Sequence, residues 1–165
     1  MAEIIRATEQ DWQQLRVVRL AALEADPSSF GSELARELAY PEDRWRAWTS
    51  GSACFLALVD RQPIGMIVAR TITNADADAE VPTAEINAMW VAPEQRGSGV
   101  GRGLVTAALD WARAGHQQLV RLRVTSGNDA AIRLYEQQGF TPTGRTEPLL
   151  SDPRLSVLEY LLALA

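Results

Sequence analysis

The hexapeptide Arg96-Gly97-Ser98-Gly99-Val100-Gly101 carries three alternate glycines directly after an arginine. The residues before it, 84–91, form a short apolar run between two prolines, which predicts a β-strand. The residues after it, 99–114, carry apolar side chains at spacings of three and four, which predicts an amphipathic α-helix. We therefore expect a glycine-rich turn that joins a strand to the start of a helix.

Such a turn predicts an anion site. The first amides of a helix have no partner within the helix, and they carry a partial positive charge that favours a phosphate. Side chains at 97, 99 or 101 would obstruct the approach of a phosphate to the backbone. The spacing does not fit the dinucleotide pattern G-x-G-x-x-G, and the chain contains no lysine, which excludes the nucleotide-triphosphate loop. In a regular strand, the residues on one face before the turn would be Glu85, Asn87, Met89 and Val91.

A second motif runs from Asn128 to Phe140. Asn128 is a suitable N-cap for a helix, Tyr135 lies on the apolar face of that helix, and Gly139 is a suitable residue after its end. A strand over 119–125 precedes the helix, and a returning strand follows it.

The two motifs together resemble the GNAT superfamily of acyl-CoA-dependent N-acetyltransferases. The phosphate motif Q/R-x-x-G-x-G/A of that family is matched by Arg96, Gly99 and Gly101. The motif N-x-x-A-x-x-x-Y-x-x-x-G-F is matched by Asn128, Ala131, Tyr135, Gly139 and Phe140.

The remaining elements agree with that fold. The order of strands and helices along the chain predicts an α/β (α+β) protein with a mixed sheet. Thr8 and Asp11 resemble a capping box at the start of a helix that ends near Ala25, and further helices are expected over 32–50 with a break at Pro41. A hairpin over 54–72, with its turn at 60–63, and a last strand over 157–164 complete the pattern. The resemblance implies one GNAT-like domain over 1–165, with a mostly antiparallel sheet flanked by helices and a splayed central strand pair.

The resemblance implies direct attack of an amine on the thioester of acetyl-CoA. Tyr135 matches the general acid of the family, and Glu85 is a candidate general base that acts through water. Glu147 and the C-terminal main chain are alternatives for the base. The glycine loop and the resemblance together predict cofactor contacts at Met89, Trp90, Val91, Arg96, Gly97, Ser98, Gly99, Val100, Gly101, Arg102, Asn128 and Tyr135.

Composition limits the partners. The net charge of −5 argues against nucleic acid or an anionic membrane as the main partner. A single cysteine, Cys54, and a single histidine, His116, exclude an internal disulfide and a thiolate metal cluster, so no metal is expected. No apolar run reaches the length of a membrane span, and we expect a cytoplasmic protein. The resemblance leaves a homodimer open.

The identity of the acceptor substrate is the part of the function that the sequence determines least. It is expected to be an amine of a small molecule or of a protein or peptide. Two acidic segments, 24–43 and 71–95, either line an acceptor mouth that attracts a cationic amine or form a solvated surface. Phe30, Trp45 and Trp48 either form an apolar wall for the acceptor or belong to the core. The alternative to an N-acetyltransferase is a non-catalytic module that binds or senses acyl-CoA. The acids of 71–95 are Asp76, Asp78, Glu80, Glu85 and Glu94.

Overall fold

The computed structural model describes residues 1–77 and 79–165, which form a seven-stranded sheet in the order β1-β2-β3-β4-β5-β7-β6. Neighbouring strands are antiparallel except for β4 and β5, which are parallel. The strands are β1 (Glu3–Arg6), β2 (Ala53–Val59), β3 (Gln62–Ile72), β4 (Thr83–Val91), β5 (Leu119–Thr125), β6 (Thr141–Leu149) and β7 (Asp152–Ala163). The prediction of a mixed, mostly antiparallel sheet flanked by helices is confirmed.

Helices cover both faces of the sheet. They are α1 (Trp12–Ala25), α2 (Leu34–Leu38), α3 (Glu42–Gly51), α4 (Asn74–Ala77), α5 (Val100–Ala114) and α6 (Asp129–Gln137). The capping box predicted before α1 is present, because Asp11 accepts a hydrogen bond from the Thr8 amide at 2.7 Å. The break expected at Pro41 separates α2 from α3. In the part of the chain that is described, none of the helices is both long and apolar enough to cross a bilayer.

Two local expectations need correction. The hairpin between β2 and β3 turns at Asp60 and Arg61 alone, both with positive φ (49° and 66°), so Gln62 and Pro63 already belong to β3. The last strand begins at Asp152 rather than 157, because β6 and β7 form a long hairpin.

The strands β4 and β5 separate partway along their length. They pair only from Thr83 to Ile86 on β4 and from Leu119 to Leu122 on β5. Beyond these residues, β4 continues to Val91 beside β3, while β5 continues beside β7. The predicted splay of the central pair is thus present, and it leaves one edge of β4 without a strand partner.

A β-bulge interrupts β4 just after the strands separate. The pairing register with β3 shifts between Met66 and Val68, and Ala88 has a φ of +53°. A bulge adds a residue to one strand and reverses the alternation of side chains beyond it. The prediction that Glu85, Asn87, Met89 and Val91 share one face was therefore wrong, since Val91 packs in the same core cluster as Ile86.

The apolar core has two layers, one on each face of the sheet. The first layer lies between the sheet and α5, which contributes Leu104, Val105 and Ala108. The second lies between the sheet and the helices of the N-terminal third, with Leu15 and Val18 of α1 and Trp45 of α3. The opening between β4 and β5 lies between these layers.

Candidate active site

The glycine loop forms the helix start that the sequence predicts. Gly97 and Gly99 have φ values of 80° and 90°, a left-handed conformation that other residues rarely adopt. The first backbone hydrogen bond of α5 runs from the Gly103 amide to the Gly99 carbonyl at 3.0 Å. The amides of residues 100–102 lie before that bond. Since a Cβ atom at Gly97 or Gly99 would meet no protein atom within 4 Å, the space above the loop is open to a ligand.

Arg96 ties this loop to two other elements. Its Nε donates to the Val91 carbonyl at 2.8 Å, and its Nη2 donates to Asp26 Oδ2 at 2.6 Å. The same carboxylate oxygen accepts a hydrogen bond from Trp90 Nε1 at 2.7 Å. Asp26, at the end of α1, therefore holds both the bulged strand and the glycine loop.

A cavity of about 560 Å³ lies above the loop. It is bordered by β4 beyond the bulge, by the start of α5 and by one face of α6. Nine predicted cofactor contacts line it: Met89, Trp90, Val91, Arg96, Gly97, Gly99, Gly101, Arg102 and Asn128. Three others lie outside it: Ser98, Val100 and Tyr135.

Part of the cavity lining, from the N-terminal third and from α6, was not predicted from the sequence. Asp26 and Ser29 come from the N-terminal third, and nothing in their local sequence indicates that they reach the glycine loop. Ala130, Arg133, Leu134 and Gln137 repeat at helical spacing and share one face of α6. Their spacing is visible in the sequence, so the face of α6 that borders the cavity could have been identified from it.

A second cavity, of about 470 Å³, adjoins the first. Its lining includes Glu85 and Tyr135, the two predicted catalytic residues, and the alternative base Glu147. The two cavities share four residues: Ser29, Met89, Asn128 and Ala131. They meet where β4 and β5 diverge. We call them the cofactor cavity and the acceptor cavity.

Tyr135 lies in an apolar environment beside the acceptor cavity. The residue is 6% exposed, and its ring packs against Phe140 at a centroid distance of 6.0 Å. Burial raises the pKa of the phenol well above its usual value near 10. Within the described part of the chain, its hydroxyl has no hydrogen-bond partner. The group therefore stays protonated at neutral pH and is available as a donor.

Glu85 lies between two arginines. It pairs in register with Arg70 on β3 and with Arg121 on β5. Arg70 Nη2 donates to Oε1 at 2.7 Å, and Arg121 donates to Oε2 from Nε at 2.9 Å and from Nη2 at 2.5 Å. Burial acts to raise the pKa of this carboxyl, but the hydrogen bonds from both arginines outweigh it and hold the pKa below its usual range. Glu85 is thus a weak proton acceptor, and its role as base stays a prediction.

Asn128 does not cap α6 through its side chain, contrary to the simplest expectation from the sequence. Its Nδ2 instead lies 3.4 Å from Ser29 Oγ, at the junction of the two cavities. Of the three aromatic side chains, Phe30 and Trp48 line the acceptor cavity and also pack in the second core layer, while Trp45 is 1% exposed and belongs to the core alone.

The fold assigns the chain to the acetyltransferase class. The features that define it are the split sheet, the open start of α5 and the two adjoining cavities. The chain belongs to the acetyltransferase (GNAT) family, whose model matches residues 16–140.

Individual relatives agree with this assignment. A mycothiol acetyltransferase from Thermobispora bispora is 38% identical over 97 residues, which are 57% of this chain and 32% of that protein. A peptidyl-lysine N-acetyltransferase from Escherichia coli is 26% identical over 87% of this chain and 85% of that protein. The solved structure of a putative acetyltransferase from Salmonella typhimurium with acetyl-CoA superposes with a TM-score of 0.80 at 21% identity, covering 100% of this chain and 95% of that one. The chain matches between 18% and 44% of the length of related mycothiol acetyltransferases.

Proposed function

We propose that this chain transfers the acetyl group of acetyl-CoA to an amine by direct attack. The observation that carries the proposal is the junction of the two cavities between β4 and β5, with Tyr135 beside it. A thioester that enters from the cofactor cavity and an amine that enters from the acceptor cavity would meet at that junction.

The cofactor cavity has two features that suit coenzyme A. The unpaired amides at the start of α5 suit its pyrophosphate, since backbone donors and the helix dipole both favour an anion there. The edge of β4 that β5 leaves open suits the pantetheine arm, whose amides can pair with it as an added strand does. An amide of β4 near Val91 is the proposed donor to the thioester oxygen.

The amine needs a proton acceptor before it attacks, because alkylamines have a pKa near 10.4 and are mostly protonated at neutral pH. Two carboxylates line the acceptor cavity, Glu85 and Glu147. Glu85 is buried and bound to two arginines, whereas Glu147 is half exposed and lies 3.2 Å from Arg123. Glu85→Gln and Glu147→Gln, compared by their pH–rate profiles, decide between them.

The step balances as follows. The amine nitrogen bonds to the thioester carbon, the carbon–sulfur bond breaks, and the nitrogen gives a proton to the base or to a water held by it. Tyr135 donates its proton to the departing thiolate and regains one after the products leave. A phenol that burial keeps protonated suits this role, because it needs no prior activation.

Release of free coenzyme A thiol tests the proposal. The purified chain is given acetyl-CoA and a panel of amines, namely polyamines, aminoglycosides, amino acids, peptide N-termini and lysine peptides, and the acetylated product is identified by mass. Thiol release that depends on an amine supports the proposal. Tight binding of acetyl-CoA by calorimetry with no thiol release from any amine favours the non-catalytic module instead.

A further inference from the structure

The polar lining of the acceptor cavity is rich in arginine. Arg19, Arg70 and Arg123 line it, against the two carboxylates Glu85 and Glu147. Of the acidic residues in the two segments that the sequence offered as an acceptor mouth, Glu85 alone lines this cavity among the described residues, and Asp78 lies outside those residues. A cavity of this composition does not select a purely cationic amine.

Arg70 and Arg121 share the carboxylate of Glu85, and the three side chains form a row of charges. Glu85 lies between Arg70 and Arg121, and its two oxygens accept from both. Arg121 is buried at 5% side-chain exposure, and its Nη1 also donates to the Asp76 carbonyl at 2.8 Å. Arg70 lines the cavity, is 48% exposed and, among the described residues, uses only Nη2 on Glu85, so most of its five N–H donors remain available to a ligand.

Arg19 has an unpaired donor. Its Nε and Nη2 donate to the two oxygens of Glu37 at 2.8 and 3.0 Å. Its side chain is only 9% exposed, and Nη1 is buried without a hydrogen-bond partner among the residues that the structure describes. The guanidinium lies over the rings of Phe30 and Trp48, which line the same cavity, at 4.9 and 5.5 Å. An unpaired buried donor is unfavourable, and an acceptor atom on a ligand would satisfy it.

Arg123 completes the set. Its Nη1 lies 3.2 Å from Glu147 Oε1, and both side chains are about half exposed. An exposed pair of this kind is weakly held and can rearrange when a ligand arrives. Of the three arginines that line the acceptor cavity, Arg70 and Arg123 have side chains that are 48% and 44% exposed, whereas the side chain of Arg19 is 9% exposed.

We infer that the acceptor carries a carboxylate in addition to the amine that is acetylated, and that Arg70 and Arg123 bind this carboxylate. The inference rests on the proposed function and specifies its substrate class. The planar fork of arginine matches the two oxygens of a carboxylate, which makes such pairs both strong and selective. The carboxylate can belong to a free amino acid or to a peptide, because the recognition chemistry is the same.

Matched acceptor pairs test the inference. Each pair contains an acid and its amide: glycine with glycinamide, lysine with lysinamide, and Gly-Gly with Gly-Gly amide. We expect the acid of at least one pair to be preferred by about 10- to 100-fold in kcat/KM from thiol release, the range of a charge-assisted pair. The free amino acids and the dipeptides distinguish the two sources of the carboxylate. Amides have the more easily deprotonated amine, so amine basicity alone predicts the opposite order.

Variants then connect the preference to the arginines. Arg70→Gln and Arg123→Gln should abolish it while leaving the KM for acetyl-CoA unchanged, since both side chains lie outside the cofactor cavity. Arg113→Gln, on α5 and away from both cavities, is the control and should keep the preference. Amides used as well as acids by the unaltered protein overturn the inference and leave the proposed function intact. Equal losses for acid and amide in the two variants also overturn it.

A protein that releases no thiol with any pair but acetylates another amine of the panel overturns the inference, whereas a protein that releases no thiol with any amine of the panel contradicts the proposed function. Calorimetric titration of each acid and amide into the coenzyme A-loaded protein then decides on the carboxylate site by itself. Binding of acids alone, lost in Arg70→Gln, supports the site. Equal binding of both members, or binding of neither, overturns it.

Discussion

Replacing Tyr135 by phenylalanine separates catalysis from packing. Tyr135 is 6% exposed and lines the acceptor cavity, and no hydrogen bond joins its hydroxyl to another described residue, so its removal breaks no internal hydrogen bond there. We expect the free energy of unfolding to stay within about 0.5 kcal/mol of the original or to rise slightly. If the hydroxyl protonates the departing thiolate, kcat should fall by about 10- to 1000-fold, equivalent to about 1.4 to 4 kcal/mol of barrier.

The assay is steady-state thiol release at saturating acetyl-CoA, with unfolding followed by denaturant titration. The affinity for coenzyme A should be nearly unchanged, because Tyr135 lies outside the cofactor cavity. Burial raises the pKa of Tyr135, so its ionisation should produce no fall in rate below pH 10.

Tyr160→Phe is the matched control. Tyr160 is 4% exposed, lies in the same core layer and lines neither cavity, and its hydroxyl lies 3.3 Å from Glu136 Oε1. This variant should lose about 0.5–1.5 kcal/mol of stability and keep its kcat. An unchanged kcat in Tyr135→Phe, or a fall in kcat no larger than that of the control, would refute the role of Tyr135.

Three further predictions concern the loop and the charge row. Gly99→Val should weaken acetyl-CoA binding at least about tenfold in calorimetry, because a φ of 90° at this loop position is strained for valine by about 1–3 kcal/mol. Gly51→Val, at an open position, is the control and should bind acetyl-CoA normally. Asp26→Ala should lower the free energy of unfolding by about 1–3 kcal/mol in denaturant titration, since it leaves Trp90 Nε1 without its acceptor, and an unchanged value would contradict the proposed tie. Glu85→Gln should destabilise the fold by about 3–5 kcal/mol at pH 7, because it removes the anion beside a buried arginine. Folding lowers the pKa of Glu85 below its ordinary value of 4.5, so the ionised carboxylate stabilises the folded protein fully above pH 4.5. This contribution is lost as the pH falls through the folded pKa. The difference in unfolding free energy between the original protein and Glu85→Gln should therefore shrink below pH 4.5. A difference that does not change with pH would show that the charge of Glu85 does not act in this way.

The sequence predicted the parts of the site that depend on local conformation. Glycines at 97, 99 and 101 and the helical spacing after them are sufficient for a helix start, because φ preference and periodicity act over a few residues. The same holds for the helix that carries Tyr135. The mostly antiparallel sheet with its splayed central strand pair followed from the resemblance to a family and not from periodicity.

Features that depend on pairing between strands were not predictable. The bulge occurs at Ala88, a residue with no preference for positive φ, and it arises from the register against β3. The neighbours of Glu85 on both sides come from strands 15 and 36 residues away in sequence. For that reason the sequence did not show that Glu85 lies between two arginines, Arg70 and Arg121.

The two cavities draw on largely separate regions of the polypeptide, and this has a consequence for how specificity can change. The nucleotide side uses the start of α5, one face of α6 and part of the loop after α1, while the hairpin of β6 and β7 borders the opposite side and not the nucleotide side. Substitutions in that hairpin can therefore alter the choice of amine without disturbing the machinery that holds the donor. A division of labour of this kind lets new acceptors be acquired while an older half of the site is inherited unchanged.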